Sequence, residues 1–266
     1  MNIGIIGYGS MGKMLLDRFI DSVSDNLYVA NRTQEKLIDI SNPVTVCRSN
    51  AELASCADII FLCVRPVDLK TILDEIRPVL KNNSLIVSLN GSVTFNQLGK
   101  IVRHKMAKAI PSVMAEIGKS QTLVCFNDLV QTDDQKMLKQ LLACIGDVIE
   151  LPEEEMGMGS ELVSCMPGFI ASIFNVICQE AEKHTAIPEH QIIRMVLNTM
   201  SATGELMLEK KLSFGDVVSR VATKGGITEE GTRVIYDRFP ETVNQLFEKT
   251  LEKRRLIVKR AEELFN

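Results

Sequence analysis

The chain has no tryptophan, few aromatic residues and no surplus of positive charge, with 30 Lys and Arg against 34 Asp and Glu in 266 residues. A net charge of −4 leaves no electrostatic footprint for a nucleic-acid backbone, so nucleic acid is excluded as an expected partner. The seven cysteines are odd in number and contain no C-x-x-C pair. Cys63, Cys125, Cys144 and Cys178 lie inside apolar segments and read as small buried hydrophobes in a reducing compartment, not as a disulfide or zinc framework. No metal site is expected. The longest apolar stretch, Cys165 to Cys178, contains Pro167, Gly168 and Asn175 and is shorter than a bilayer span, so no membrane is expected either. The first strand begins at residue 2 or 3, which leaves no place for a leader, and a cytoplasmic location is expected. What is present, 45% hydrophobic and 24% charged residues, suits one large globular domain or two ordinary ones.

The organising stretch is the first dozen residues. Ile3, Ile5 and Ile6 form a short apolar run, Gly7-Tyr8-Gly9-Ser10-Met11-Gly12 follows, and Lys13-Met14-Leu15-Leu16 starts a helical pattern. Strand, glycine turn and helix in that order give G-x-G-x-x-G its meaning as a dinucleotide site. Gly7 permits the tight turn, Gly9 admits a pyrophosphate to the backbone, and Gly12 lets helix and strand pack closely. The free N–H groups and positive dipole end of the helix then face the phosphates.

A second strand, Leu27 to Ala30, ends at Asn31-Arg32-Thr33, where an NAD-binding chain usually carries the Asp or Glu that holds both ribose hydroxyls. A guanidinium and two short polar side chains suit a 2′-phosphate instead, so NADP(H) is expected and NAD(H) is the lesser alternative. Thr33 also fits an ordinary helix cap, and both readings can hold. A short strand at Val44–Val46 and a helix from Asn50 follow. Asp58 to Val64 is a continuous apolar run of the kind a parallel sheet requires, carrying Cys63 and Val64 at its end and stopping at Arg65-Pro66. Proline is expected to turn the chain into a loop there. Later strands at 85–89 and 106–110 end at Asn90-Gly91 and Pro111-Ser112. These three turns at one sheet edge are expected to floor the nicotinamide half of a cofactor.

A strand at 122–126, a helix over 131–144 and a strand at 147–151 close the first domain, with a linker at Pro152. Glu153-Glu154-Glu155 reads as a solvated helix start. The predicted fold is α/β: an N-terminal Rossmann domain with a doubly wound, mainly parallel sheet over residues 1–152, then an all-α domain over 153–266. Helices are expected over 167–182, 188–210 and 214–220, with a last one from Glu230 or Pro240. The 167–182 helix is apolar almost all round, so a second subunit is expected to cover it. Glu252-Lys253-Arg254-Arg255 reads as a solvated face, and His104, His184 and His190 as surface residues on polar helical stretches. Thr223-Lys224-Gly225-Gly226-Ile227-Thr228 is either a carboxylate-binding nest with a hydroxyl beside it or an ordinary capped turn.

Together these motifs resemble the pyrroline-5-carboxylate reductase family along the whole chain. The landmarks are Gly7 to Gly12, Asn31-Arg32-Thr33, Asn50, Val64-Arg65-Pro66 (V-K-P in the family), Asn90-Gly91 (A-A-G), Ile110-Pro111-Ser112 (M-P-N) and Lys224 to Thr228 (P-G-G-x-T). The resemblance implies an NAD(P)H site completed by these loops and a helical dimerisation domain. It implies substrate carboxylate binding by Gly225, Gly226, Ile227 and Thr228, with Ser112 beside the reaction and Thr228 hydrogen-bonding the imine nitrogen as the catalytic residue. M-P-N-T-P appears here as Ile110-Pro111-Ser112-Val113-Met114, and S-G-S-G-P-A-Y as Val163 to Phe169. Val163-Ser164-Cys165 and Glu230-Gly231 look more like the divergent relatives encoded with bacterial late-competence genes.

The expected function is therefore NADPH-dependent reduction of a small carboxylated cyclic imine, 1-pyrroline-5-carboxylate to proline, by a homodimer or higher oligomer. The alternative is a reductase-like dimeric accessory or regulatory protein with little or no activity. A related reductase of another imine or of a β-hydroxyacid ranks lower, because its lysine base is expected on the helix after the junction, where Lys183 is the only lysine before His184 and lies on a polar end.

Overall fold

The computed structural model describes residues 1–41 and 43–265, of Leu264 the backbone alone. Eight strands form one sheet in the order β3-β2-β1-β4-β5-β6-β7-β8. They are β1 (Asn2–Ile6), β2 (Asn26–Ala30), β3 (Val44–Val46), β4 (Ile59–Leu62), β5 (Leu85–Ser88), β6 (Met106–Ile110), β7 (Ser120–Phe126) and β8 (Gly146–Glu150). All neighbours are parallel except β6 and β7. The order reverses between β1 and β4, and such a switch point opens a crevice at the carboxyl ends of the strands.

Burial on both faces explains the unbroken apolar runs. Ile3, Ile5, Phe61 and Val87 point into one core layer with Leu15, Leu16 and Phe19 of α1 (Ser10–Ser22). Ile6, Ile60, Leu62 and Ile86 point into the other, with Leu53 of α2 (Asn50–Cys56) and Leu69, Leu73 and Ile76 of α3 (Pro66–Ile76). Pro66 is not the start of a loop as expected. It is the first residue of α3, where its missing N–H costs nothing and its fixed φ suits the helix.

At the opposite edge of the sheet Asp58 ties strand starts together, accepting from Asn2 N–H at 2.8 Å and from Lys81 Nζ at 2.7 Å. Partial burial raises the Asp58 pKa, but the Lys81 ammonium and the Asn2 N–H outweigh it and hold the carboxyl below its ordinary value of 3.8. A depressed carboxyl pKa stabilises the fold above the unfolded-state value, and that contribution is lost as pH falls through the folded one. Asp58→Asn should therefore lower Tm at neutral pH, with the gap to wild type closing in scans below pH 3.8.

The remaining elements of the α/β region are α4 (Phe95–Gly99), capped by Thr94, and α5 (Thr132–Leu142). Two sequence readings change here. Glu153 is not simply solvated: its Oε1 accepts from Phe95 N–H at 2.8 Å, and its carboxylate pairs with the buried Lys108 ammonium. His104 lies in a half-buried loop, with its Nε2 3.0 Å from Ser84 Oγ, and burial lowers its pKa. All seven cysteines are free, with Cys47, Cys125 and Cys178 buried and Cys63 and Cys144 half-buried. Burial pushes the Cys125 thiol up to about 11.

The helical half comprises α6 (Met156–Ser160), α7 (Met166–Glu182), α8 (Glu189–Lys210), α9 (Phe214–Val221) and α10 (Ile227–Phe265). A wider π turn, Glu161–Cys165, joins α6 to α7 just before Pro167, whose missing N–H removes a ladder bond. Helical backbone thus runs over Glu153–Glu182, 30 residues, long and apolar enough by length and composition to cross a membrane. The stretch Cys165 to Cys178, read from the sequence as shorter than a span, lies within this longer helical run. The last helix begins at Ile227, earlier than expected, and carries Pro240 within it.

The compact units also divide differently from the expected 152/153 boundary: one holds residues 1–166 together with 251–266, the other 167–250. The first unit reclaims the chain end because Ala261 and Phe265 enter its core and Arg254 bonds the buried Glu161 Oε1 at 2.7 Å through NH2. Arg254 is therefore not part of a solvated face. In the second unit, by itself, Cys178 and Ile192 are the buried hydrophobics among the described residues, while Leu208, Phe214 and Tyr236 are exposed. Helices that bury so little have no core of their own and leave their apolar faces for another surface to cover.

Candidate functional site: a dinucleotide cleft

A cleft of about 750 Å³ opens over the ends of β1, β2 and β4. Its floor is the glycine turn. Gly7 has φ +100°, and its N–H bonds Ala30 O at 2.8 Å, joining the turn to β2. A Cβ on Gly7 would stand 2.6 Å from Cys63 O, and one on Gly12 would stand 2.0 Å from Gly7 O. At Gly9 a Cβ would meet nothing within 4 Å. Gly7 and Gly12 are thus required by the protein's own packing, whereas Gly9 faces open space. Gly9 is also the N-cap of α1 and has no side chain to occupy the free N–H groups of the first turn. An uncapped helix start beneath an open glycine fits a pyrophosphate.

Ten of the expected cofactor residues line the cleft: Gly7, Tyr8, Gly9, Asn31, Arg32, Thr33, Asn50, Cys63, Val64 and Arg65. Asn31 is largely engaged within the protein, accepting from Tyr8 N–H at 2.9 Å and donating to Thr33 O at 2.8 Å. It sets the shape of the turn. Thr33 occupies a cap position before the 3₁₀ turn Gln34–Leu37 without a side-chain capping bond, which leaves its hydroxyl to the cleft. Ser10, Met11, Gly12 and Pro66 lie in first turns of helices and do not line it. Neither do Asn90, Gly91 and Pro111. Asn90 instead closes a local turn through Ser92 N–H at 2.8 Å, Gly91 packs against Ile110, and Pro111 is buried.

Ser112 does not line the cleft. It is buried, its N–H donates to Ser120 Oγ at 3.0 Å, and its hydroxyl accepts from Met114 N–H at 3.3 Å. Ser120 Oγ lies 2.9 Å from Thr122 Oγ1 in turn. The hydroxyl is thereby turned into the protein. Gly225, Gly226, Ile227 and Thr228 do form a turn entering a long helix, with Gly225 at φ +74° and Gly226 N–H on Thr223 O at 2.8 Å. Thr228 and Ile227 are exposed. Gly225 N–H is taken by Glu229 Oε2 at 2.7 Å, so the chain's own carboxylate sits on the proposed nest.

Several lining residues were not anticipated: Lys36, Arg48, Asp68, Thr71 and Glu75. Asp68, Thr71 and Glu75 are spaced i, i+3, i+7 on the polar face of α3, opposite the buried Leu69, Ile72, Leu73 and Ile76. That periodicity is visible in the sequence. Asp68 accepts from Arg65 Nε at 3.1 Å and Arg32 NH1 at 3.4 Å, and Glu75 accepts from Asn50 Nδ2 at 2.7 Å.

Residues 2–91 match the family described as NADP oxidoreductase coenzyme F420-dependent, and residues 153–257 match Pyrroline-5-carboxylate reductase dimerisation. Among curated relatives, Pyrroline-5-carboxylate reductase 3 of Bacillus subtilis is 29% identical over 261 residues, covering 96% of each chain. ComE operon protein 4 of the same organism is 27% identical over 256 residues, covering 94% of each. The solved 1-pyrroline-5-carboxylate reductase from Streptococcus pyogenes superposes with a TM-score of 0.85 at 22% identity, covering 96% of this chain and 98% of that one, a likeness of fold. With an oxidoreductase-type match over residues 2–91 followed by the dimerisation match over 153–257, the chain is similar along its length to pyrroline-5-carboxylate reductases.

Proposed function

We propose that the protein is an NADPH-dependent reductase of a small carboxylated cyclic imine, 1-pyrroline-5-carboxylate to proline, acting as a dimer or higher oligomer in the cytoplasm. The observation that carries this reading is the cleft itself: an open Gly9 at an uncapped helix start, with Arg32 in place of the ribose-binding carboxylate at the end of β2. A bound reduced nicotinamide supplies the hydride. Gly7, Gly9 and the first turn of α1 hold the pyrophosphate, and Arg32 with Arg65 takes the 2′-phosphate. The N–H of Gly225 takes the substrate carboxylate in place of Glu229, and the Thr228 hydroxyl holds the imine nitrogen and its proton. A protonated imine is already electrophilic, so the protein's part is orientation and exclusion of water, and no histidine is required. The dimerisation match over 153–257 supports a second subunit as the cover of the exposed apolar helix faces.

Thr228→Ala should lower kcat/KM for 1-pyrroline-5-carboxylate by about tenfold or more, the scale of one hydrogen bond to a charged group, with NADPH affinity unchanged. Wild-type NADPH binding with no turnover would overturn the reductase reading. It would favour the second one, an accessory protein on a retained reductase fold, which the inward-turned Ser112 hydroxyl and the similarity to ComE operon protein 4 support.

A further inference from the structure

Asp68 sits in the first turn of α3, held there by its N–H on Arg65 O at 3.0 Å. Its Oδ2 receives Arg65 Nε at 3.1 Å and its Oδ1 receives Arg32 NH1 at 3.4 Å. The two guanidiniums arrive from different elements, the end of β2 and the end of β4, and are otherwise open to solvent, with side chains 81% and 70% exposed against 28% for Asp68. One carboxylate therefore bridges two of the cations that line the cleft, Arg32 and Arg65, beside Lys36 and Arg48.

Resting on the NADP reading above, we infer that Asp68 competes with the 2′-phosphate for Arg32 and Arg65, so that it restrains NADP(H) affinity and keeps the cleft open to NAD(H). A phosphate that engages these guanidiniums either displaces the carboxylate or sits beside it, and like charges at that distance repel. A 2′-hydroxyl carries no charge and leaves both ion pairs intact. Asp68 thus acts in the opposite sense from a residue that orients the arginines for phosphate, and the sign of one substitution separates the two roles.

The test is equilibrium binding of NADP⁺ and NAD⁺ to the whole purified protein, wild type and Asp68→Asn, by calorimetry at low and high salt. Asparagine keeps the shape and removes the charge. We expect NADP⁺ to bind about three- to tenfold more tightly at low salt, the gain shrinking at high salt, while NAD⁺ changes by less than about twofold. Weaker NADP⁺ binding, no change, or a parallel change for both nucleotides would overturn the inference. Arg32→Gln separates this from the reading beneath it: if that variant leaves the NADP⁺ to NAD⁺ ratio as in wild type, Arg32 is not the 2′-phosphate ligand and the NADP reading fails on its own account.

Discussion

Glu153→Leu is expected to destabilise the protein by about 3 kcal/mol in urea unfolding, because it leaves an ammonium buried without a counter-charge. Lys108 stands in the centre of β6 with its side chain 2% exposed, and Glu153 is the carboxylate paired with it. The Lys108 ammonium also lies 5.0 Å from the Phe95 ring centroid, a contact too weak to replace a full charge. The same substitution strands Phe95 N–H at the start of α4, which Glu153 Oε1 accepts at 2.8 Å. Lys108→Met should cost less: its stem still fills the β6 position, and Glu153, 30% exposed, can be hydrated. The double variant should be more stable than the sum of the two predicts. A loss below about 1 kcal/mol for Glu153→Leu would show that the ammonium finds another partner.

The glycine turn supplies the second large effect, and it differs by position. Gly7→Ala and Gly12→Ala should each cost about 2 to 3 kcal/mol. The first forces a side chain onto a φ of +100°, and the second drives a Cβ into Gly7 O at 2.0 Å. Gly9→Ala should leave Tm unchanged, since its Cβ meets nothing within 4 Å, yet weaken NADPH binding by about tenfold or more because that space is where the pyrophosphate approaches. Thermal unfolding and nucleotide titration on the three variants check this. A Gly9→Ala variant that keeps full affinity would remove the pyrophosphate from the turn.

The sheet was legible because its strands are buried on both faces and so appear as unbroken apolar runs; Ile59–Leu62 is the clearest. The glycine turn was legible because a steric demand leaves a fixed spacing. Other features depend on partners distant in sequence. Glu153 reads as a solvated acidic triplet until Lys108, 45 residues earlier, is placed beneath it. Arg254 reads as part of a basic run until Glu161 is found 93 residues before it. Ser112 looks like a substrate ligand by motif, but it is buried, and its hydroxyl accepts from Met114 N–H and lies 3.5 Å from Ser120 Oγ. The polar stripe of α3 was readable by periodicity. What made it part of the cleft was the parallel pairing of β1 with β4, which sets α3 beside the glycine turn.

The central claim is hydride transfer from a cofactor held on that turn to the C=N carbon of a carboxylated imine. The most direct measurement supplies NADPH deuterated at its transferable position together with 1-pyrroline-5-carboxylate, and examines the product by mass spectrometry. The account predicts proline carrying one deuterium on the carbon next to nitrogen, formed in step with NADPH oxidation and lost in Gly9→Ala at low cofactor concentration. Bound NADPH that is never oxidised, or proline without the label, would contradict it.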